Sequence, residues 1–183
     1  VKILSQLRGL PNAELPSESG FCFDHGIVLD PLAAAQSEYT GAFIGMEDNP
    51  DLSISISTSA GLKSGRTLLQ RNSGNSVQAS YRSHFNTLRI GERSINRIPG
   101  EEVLHRVDEL NGSVGHGFMW ESLGTQNDVY LPNISLELTT GIGRPGKPVN
   151  SSLSDNEAIT LWDKISSSLR PRPIDRKSDS NSI

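Results

Sequence analysis

The amino-acid sequence predicts an α+β domain in which an antiparallel sheet carries a C-terminal helix packed on one face. Leu52 to Ser57 alternates apolar and small polar residues, which is typical of a strand with one face on a core. Leu153 to Leu169 instead repeats its apolar residues at helical spacing. With 183 residues, of which 34% are hydrophobic, the chain has room for one core of ordinary size.

The C-terminal helix has a well-defined predicted beginning and end. Ser154 and Glu157 stand three residues apart, as in a capping box, and Leu153 can act as the hydrophobic staple. The predicted apolar stripe consists of Ala158, Trp162, Ile165 and Leu169. Because proline cannot continue a helix, we expect the helix to end before Pro171.

Three further apolar runs are bounded by turn residues and predict strands. The first run contains Phe21, Phe23, Ile27 and Leu29. The second is interpreted as a hairpin, in which residues 88–90 and 95–98 flank a turn at residues 91–94. The third covers residues 129–138 and makes one or two strands, since Pro132 interrupts it.

Two segments allow more than one interpretation. Residues 101–121 fit a hairpin around Asn111-Gly112, because apolar residues can alternate on both sides of that pair. The alternative is a two-turn helix that ends at the same Asn-Gly pair. We favour the hairpin, since the residues after the pair clearly alternate. Gly61 to Arg71 fits a helix as well as a strand.

The two ends of the chain set the predicted domain boundaries. Val1 to Leu10 has apolar residues on one face of a short helix, and a polar linker follows up to Gly20. The spacing of Ile3, Leu7, Arg8 and Pro11 is repeated by Ile165, Leu169, Arg170 and Pro173. This repetition is either a coincidence in a short span or the trace of an earlier, homologous unit. We expect residues 1–19 to be the C-terminal end of such a unit with its linker, residues 20–173 to be the main domain, and residues 174–183 to be a disordered tail.

Composition excludes several classes of function. A formal net charge of -4 gives no basic surface for nucleic acid. No apolar run approaches the about 20 residues that cross a bilayer. The single cysteine, Cys22, cannot form an internal disulfide, and with His25 it supplies too few ligands for a closed zinc site. We therefore predict no metal and no cofactor.

Catalytic signatures are incomplete in this sequence. Residues 141–148 nearly spell a phosphate-binding P-loop, but Pro148 stands where the motif needs a hydroxyl. No Gly-x-Ser-x-Gly nucleophile elbow occurs. Glu101 and Glu102 are adjacent, so on a strand their carboxylates point to opposite faces and cannot cooperate as acid and base. A structural role for one of them, such as bonding to the backbone, is the better interpretation.

The two tryptophans are expected in the core. Trp120 lies in an alternating strand and Trp162 in the apolar stripe of the last helix, so we predict that both pack in the interior. Exposure at a partner surface is the alternative.

Several short blocks occur in an order that resembles a known family. The blocks are Gly100-Glu101-Glu102, Phe118-x-Trp120-Glu121, Leu138-x-Thr140-Gly141, Gly146-Lys147-Pro148-Val149 and Leu161-Trp162-Asp163-x-Ile165. In this order they resemble the C-terminal domain of the immunity proteins that bacteria make against phospholipase and lipase effectors of the type VI secretion system. The resemblance runs from near Gly20 to Pro173.

Membership of that family would imply a periplasmic protein and not an enzyme. Its partner would be a cognate effector lipase of the α/β-hydrolase type, neutralised by blocking the active site or the lid. The resemblance also implies an N-terminal part of the same immunity protein as a further partner. The rival hypotheses are a small hydrolase of unrecognised type and a structural module of the cell envelope.

Recognition by such a protein is expected from its polar loops. The candidate loops are Met46 to Asp51, Arg71 to Ser76 and Gly143 to Lys147. Within the last loop we predict Arg144 and Lys147 as partner-binding residues, while Glu101, Trp120 and Trp162 belong to the scaffold.

Overall fold

The computed structural model describes residues 2–11, 15–23, 25–30, 37–61, 65–74 and 82–172. The chain forms two compact units, of which the smaller contains Val1–Ala34 with Arg170–Ile183 and the larger contains Ala35–Leu169. The predicted tail, residues 174–183, lies outside the described residues. So does Pro173, the last residue of the spacing that is repeated at the two ends of the chain.

The smaller unit is a three-stranded antiparallel sheet with strand order β1-β3-β2. Its strands are β1 (Leu7–Gly9), β2 (Gly20–Phe23) and β3 (Gly26–Leu29), and a 3-10 helix, Lys2–Gln6, precedes them. The helix predicted over Val1 to Leu10 is therefore wrong from Leu7 onward. Leu7 lies opposite Val28, so the backbone there bonds to a neighbouring strand and cannot continue a helix.

The larger unit is built on a six-stranded antiparallel sheet with strand order β4-β5-β9-β8-β7-β6. Its strands are β4 (Glu38–Met46), β5 (Asn49–Ala60), β6 (Phe85–Glu92), β7 (Glu101–Asp108), β8 (Val114–Ser122) and β9 (Asn133–Thr140). Helix α1 (Leu68–Gly74) and helix α2 (Asp155–Ser168) pack against it, and a 3-10 turn, Arg82–His84, leads into β6. This confirms the predicted α+β class.

Helix α2 begins as the sequence predicts. The Ser154 side chain accepts a hydrogen bond from the Glu157 backbone N–H, and the Glu157 carboxylate accepts one from the Ser154 backbone N–H. Its buried residues are Ala158, Trp162 and Ser166, and Ile165 and Leu169 pack at the edge of the same core.

One row across the sheet shows how the faces divide. Ile54, Leu138 and Phe118 are direct neighbours on β5, β9 and β8, all are buried, and Phe118 contacts the Trp162 ring edge to face. This face, which carries α2, is called the helix face below. Because side chains alternate along a strand, Ser55, Glu137 and Met119 point to the opposite, outer face.

The ambiguous segments resolve in three ways. Residues 101–121 form the predicted hairpin, with β7 paired to β8. Within the Gly61 to Arg71 segment, helix α1 begins at Leu68 and continues beyond Arg71. Residues 62–64 lie outside the described residues. The run at 129–138 makes a strand only from Asn133 onward, after Pro132.

The hairpin predicted around residues 91–94 is wrong. Gly91 lies inside β6, which pairs with β7, and the tight turn comes later, at Asn96-Arg97. Both of these residues have positive φ, 47° and 71°, as a two-residue hairpin turn requires. The Asn96 side chain donates to the carbonyls of Ser167 and Leu169, so this turn also caps the end of α2.

Candidate partner-binding surface

A hydroxyl, an imidazole and a carboxylate lie in line at the start of α2. His116 Nδ1 is 2.8 Å from Thr140 Oγ1, and His116 Nε2 is 3.0 Å from Asp155 Oδ1. A catalytic triad needs no fixed sequence motif, so the geometry of these three groups decides whether they can act as one.

The arrangement is structural because its hydroxyl is closed to substrate. Thr140 and His116 are only 4% and 2% exposed, and Thr140 Oγ1 also accepts a hydrogen bond from the His116 backbone N–H at 3.0 Å. A cleft of about 490 Å³ lies beside them, and its lining residues include Asp155 but neither His116 nor Thr140. The three groups fasten β8 and β9 to the first turn of α2.

A buried carboxylate fastens the middle of α2. Glu102 forms ion pairs with Arg89 and Arg93, the latter at 2.7 Å, and accepts a hydrogen bond from the Trp162 indole N–H at 3.1 Å. The same two arginines pair with Asp163 on α2. The hydrogen bond from Arg89 holds the pKa of Asp163 below its usual value. Sheet and helix are thus joined by charge as well as by apolar packing.

The neighbouring glutamate has a separate role on the outer face. Glu101 Oε2 accepts a hydrogen bond from the Leu69 backbone N–H at the start of α1. On the same helix, Arg71 donates to both carboxylate oxygens of Glu121 at 2.6 Å. These contacts confirm that Glu101 and Glu102 serve opposite faces and that Glu101 bonds to the backbone.

Asp51 holds the long loop between β9 and α2 in place. Its Oδ2 accepts hydrogen bonds of 3.0 Å from the backbone N–H groups of Gly141 and Ser152, and its own carbonyl accepts one from Ile142. Burial raises the pKa of Asp51, but the hydrogen bonds from Ser152 and Gly141 outweigh it and leave the pKa below its usual value. The carboxylate is therefore ionised and binds both ends of the loop.

The loop itself is a short hairpin whose tip carries the predicted residues Arg144 and Lys147. These two residues pair across the tip, where the Lys147 N–H donates to the Arg144 carbonyl at 2.8 Å. Pro145 and Gly146 form the turn, and Gly146 has a φ of 71°. Both basic side chains are exposed, and no ion pair to them occurs in the described ranges. Ile142 and Val149, each more than a third exposed, flank them.

Two of the three predicted loops come together and the third does not. Asn49, the first residue of β5, donates to the Ser152 hydroxyl at 2.9 Å, which places the β4–β5 turn beside the segment that joins the Gly143 to Lys147 loop to α2. Arg71 instead binds Glu121, at the opposite end of β8 from His116. The part of Arg71 to Ser76 beyond Gly74 lies outside the described residues.

Sequence reasoning missed the residues that hold this surface. Asp51, Thr140 and the two arginines around Glu102 act through partners distant in the chain, so no local pattern reveals them. Asp51 gave one signal, because it is an acidic residue directly before the alternating run Leu52 to Ser57. Within the described residues, no group of three or more His, Cys, Asp or Glu side chains could hold a metal ion.

The sequence matches the family model described as "Tle cognate immunity protein 4 C-terminal domain" over residues 14–174. The chain belongs to this family. That confirms the resemblance drawn from the motif blocks, and because the family consists of immunity proteins, it also confirms that the chain is not an enzyme. No curated protein matches the sequence.

Solved structures of immunity proteins share the fold of this family member. The apo structure of immunity protein TplEi of the type VI secretion system from Pseudomonas aeruginosa is 33% identical, with a TM-score of 0.77, over 94% of this chain and 56% of that one. The same protein complexed with an "L" peptide is 32% identical, with a TM-score of 0.76, over 93% of this chain and 60% of that one.

A third structure contains an immunity protein together with its partner. The Tle4–Tli4 complex includes a chain that is 31% identical, with a TM-score of 0.76, over 94% of this chain and 57% of that one. This family member thus spans between 56% and 60% of the length of these relatives. No described helix is long and apolar enough to cross a membrane.

Proposed function

We propose that this chain is an immunity protein that binds and neutralises a lipase effector of the type VI secretion system. The observation that carries the proposal is the family match over residues 14–174, joined to the structure of a related immunity protein in a Tle4–Tli4 complex. The effector is of the phospholipase type with an α/β-hydrolase fold, and the complex protects the producing cell from its own toxin. The site of action is the periplasm.

Neutralisation works by covering the active-site mouth or the lid of the lipase. Such an inhibitor needs a fitted surface and no reactive group of its own, and specific complexes typically bury about 1,600 Å². Burial of the Thr140 hydroxyl and the His116 imidazole agrees with an absence of chemistry at this point of the chain. A relative solved with a bound peptide supports recognition of a polypeptide partner.

The proposal extends to the predicted domain boundaries. Residues 20–173 form the immunity-protein C-terminal domain, and residues 1–19 the end of a preceding unit with its linker. An N-terminal part of the same protein is a further partner. The share of the relatives' length that this chain spans, at most 60%, supports that part of the proposal.

Inhibition of a lipase tests the function directly. The cognate effector lipase is assayed on phospholipid vesicles while the chain is added in rising molar ratio. We expect lipase activity to fall in proportion to the added chain and the chain alone to release no fatty acid. Undiminished lipase activity contradicts the proposal, and fatty acid released by the chain alone favours a hydrolase.

Arg144 and Lys147 are proposed to contact the effector. They stand at the exposed tip of a hydrogen-bonded loop and lack ion-pair partners in the described part of the chain, so their positive charge is available to a partner. Charges at the rim of an interface mainly change the association rate. We expect Arg144→Glu with Lys147→Glu to slow association with the lipase about tenfold at low salt, and less at high salt.

A charge change elsewhere provides the control for the loop variant. Lys164 is exposed on α2, away from the loop in the chain, and Lys164→Glu changes the net charge in the same direction. This variant is expected to associate at nearly the wild-type rate, as measured by surface plasmon resonance. Equal slowing by both changes would assign the effect to net charge and remove Arg144 and Lys147 from the interface.

A further inference from the structure

The two edges of the six-stranded sheet differ in how well they are protected against pairing with a further strand. Strand β6 carries a break in its pairing between Thr87 and Arg89, and Arg89 is held in ion pairs. Bulges and charges of this kind hinder the pairing of another strand with an exposed edge. Strand β4, at the other edge, pairs residue for residue with β5 from Glu38 to Gly45.

The unprotected edge is also apolar. Tyr39 and Phe43 on β4 are 75% and 83% exposed, and Ile44 is about half exposed. Between Glu38 and Met46 the strand contains no lysine, arginine or proline, which are the residues that usually block such edges. No strand of the described residues pairs with the free side of β4, so its outward backbone groups remain available for hydrogen bonds.

The outer face beside this edge carries small side chains. Tyr39 and Phe43 lie opposite Ser59 and Ser55, and Ser57 lies between these two serines on the same face. Small hydroxyl side chains leave room for an aromatic ring of a partner to rest on the sheet. Helix α1 contacts β7 on this face, and its Arg71 lines a cleft of about 290 Å³ that also includes Ser57 and Ser59.

The charges around β4 select the occupant. Glu38 stands at its start, and Glu47 and Asp48 form the exposed turn at its end. None of the three forms an ion pair within the described residues, so the edge is flanked by unpaired negative charge. Two copies of this chain joined along β4 would bring these carboxylates together, which disfavours self-association.

We infer that β4 accepts an extended segment of the effector lipase as an additional, seventh strand of the sheet. The segment carries apolar side chains at alternate positions, which rest against Phe43 and Tyr39, and basic residues at its ends, which face Glu38 and Glu47. Backbone hydrogen bonds supply affinity in this mode, and the side-chain contacts and charges supply specificity. The inference rests on the proposed function and specifies how the partner is held.

Hydrogen exchange distinguishes strand addition from other contacts. Added backbone pairing protects alternate amides of one strand, because only every second N–H points to the free side. We expect exchange at alternate amides of Glu38 to Met46 to slow at least about tenfold when the lipase is added, while the amides of β6 are unchanged. Docking through side chains alone would leave the exchange of β4 unchanged.

A matched pair of variants tests the same edge by affinity. Phe43 and Ile90 lie in one row at opposite edges of the sheet, on the outer face, and both are exposed. We expect Phe43→Lys to weaken binding of the lipase at least about tenfold, whereas Ile90→Lys changes it less than about twofold. Tyr39→Lys serves as a second variant, and thermal unfolding verifies that each protein folds.

The outcomes separate the two proposals. If the lipase binds but the β4 amides and the Phe43→Lys affinity do not change, the edge inference is wrong and the immunity function stands. If the lipase does not bind the wild-type chain, both are wrong. If the β4 amides are protected without lipase and Phe43→Lys converts a dimer to a monomer, the edge is occupied by a second copy and the inference is overturned.

Discussion

The helix face of the large sheet and the surface formed by β4 with the Gly143 to Lys147 loop differ in how their polar groups are satisfied. On the helix face, Glu102, His116 and Thr140 are buried and all have partners inside the chain. On the other surface, the basic and acidic side chains form no ion pair within the described residues, and the aromatic rings are exposed. Polar groups that bond to each other inside the chain hold the scaffold together, whereas exposed groups without such bonds are available to bind a partner.

The residues that identify the family belong almost entirely to the scaffold. Trp120 and Trp162 are fully buried, as predicted, and Trp120 donates its indole N–H to the Arg93 carbonyl. Gly100 is required by close packing, since a Cβ there would lie 2.5 Å from the Trp120 ring. Such motifs reveal the family because the fold demands them, so apart from Lys147 they do not indicate which residues contact the partner.

Loss of the Trp162 side chain should have the largest effect on stability. The ring is fully buried, packs on Phe118 and donates to Glu102, so Trp162→Ala leaves a cavity and removes one hydrogen bond to Glu102. We expect the free energy of unfolding to fall by about 3–5 kcal/mol, measured by urea denaturation. Trp162→Phe should lose clearly less, and an equal loss would contradict the packing described.

Removal of the buried charge at Glu102 should have the next largest effect. Glu102→Gln leaves Arg89 and Arg93 with only the half-exposed Asp163, and we expect a loss of about 3 kcal/mol in the free energy of unfolding. Asp163→Asn removes a more exposed partner of the same arginines and should lose about 1 kcal/mol or less. If the two variants are equally stable, Glu102 is not the centre of this network.

Asp51 predicts a pH dependence of stability. Its pKa is lower in the folded protein than its usual value of 3.8, so its contribution is complete above that value and is lost as the pH falls through the lower, folded-state pKa. We expect Asp51→Asn to reduce the free energy of unfolding by about 2 kcal/mol at neutral pH. The difference from wild type should shrink below pH 3.8 in denaturation curves measured from pH 7 downward; a constant difference would refute the role of the charge.

Gly146 gives the smallest expected change. A Cβ at this position meets no atom within 4 Å, so Gly146→Ala costs only the strain of its positive φ, about 1 kcal/mol. Gly117→Ala is the matched control, since that position is equally open and lacks positive φ. The Gly146 variant should bind the lipase more weakly than the Gly117 variant, because the tip that presents Arg144 and Lys147 is distorted. Equal binding of the lipase by the two variants would show that the tip is not part of the interface.

Local patterns in the sequence predicted the elements that local forces determine. The Ser154 capping box, the alternation of β5 and the hairpin at Asn111-Gly112 each depend on neighbours within a few residues. The prediction of a turn at Gly91 was wrong because glycine also fits inside a strand. The turn is formed instead by Asn96 and Arg97, and the pattern of apolar residues does not reveal their positive φ.

The recognition surface was predictable only in part. The polar composition of Gly143 to Lys147 predicted a loop that carries Arg144 and Lys147, and the structure has both at the exposed tip of a loop. The anchor of that tip was not predictable, because Asp51 and Gly141 are 90 residues apart in the chain. The position of β4 at a sheet edge depends on strand order, which the composition of a single strand does not determine.

The central claim is that the chain neutralises its partner by surface contact alone. The most direct test is to inhibit the lipase with the chain, separate the two proteins in a dissociating buffer, and measure the intact mass and the recovered activity of the lipase. Contact alone predicts full recovery of activity and an unchanged mass for both proteins. A lipase that stays inactive and has an altered mass would contradict the claim, because it would mean that the chain changes its partner chemically.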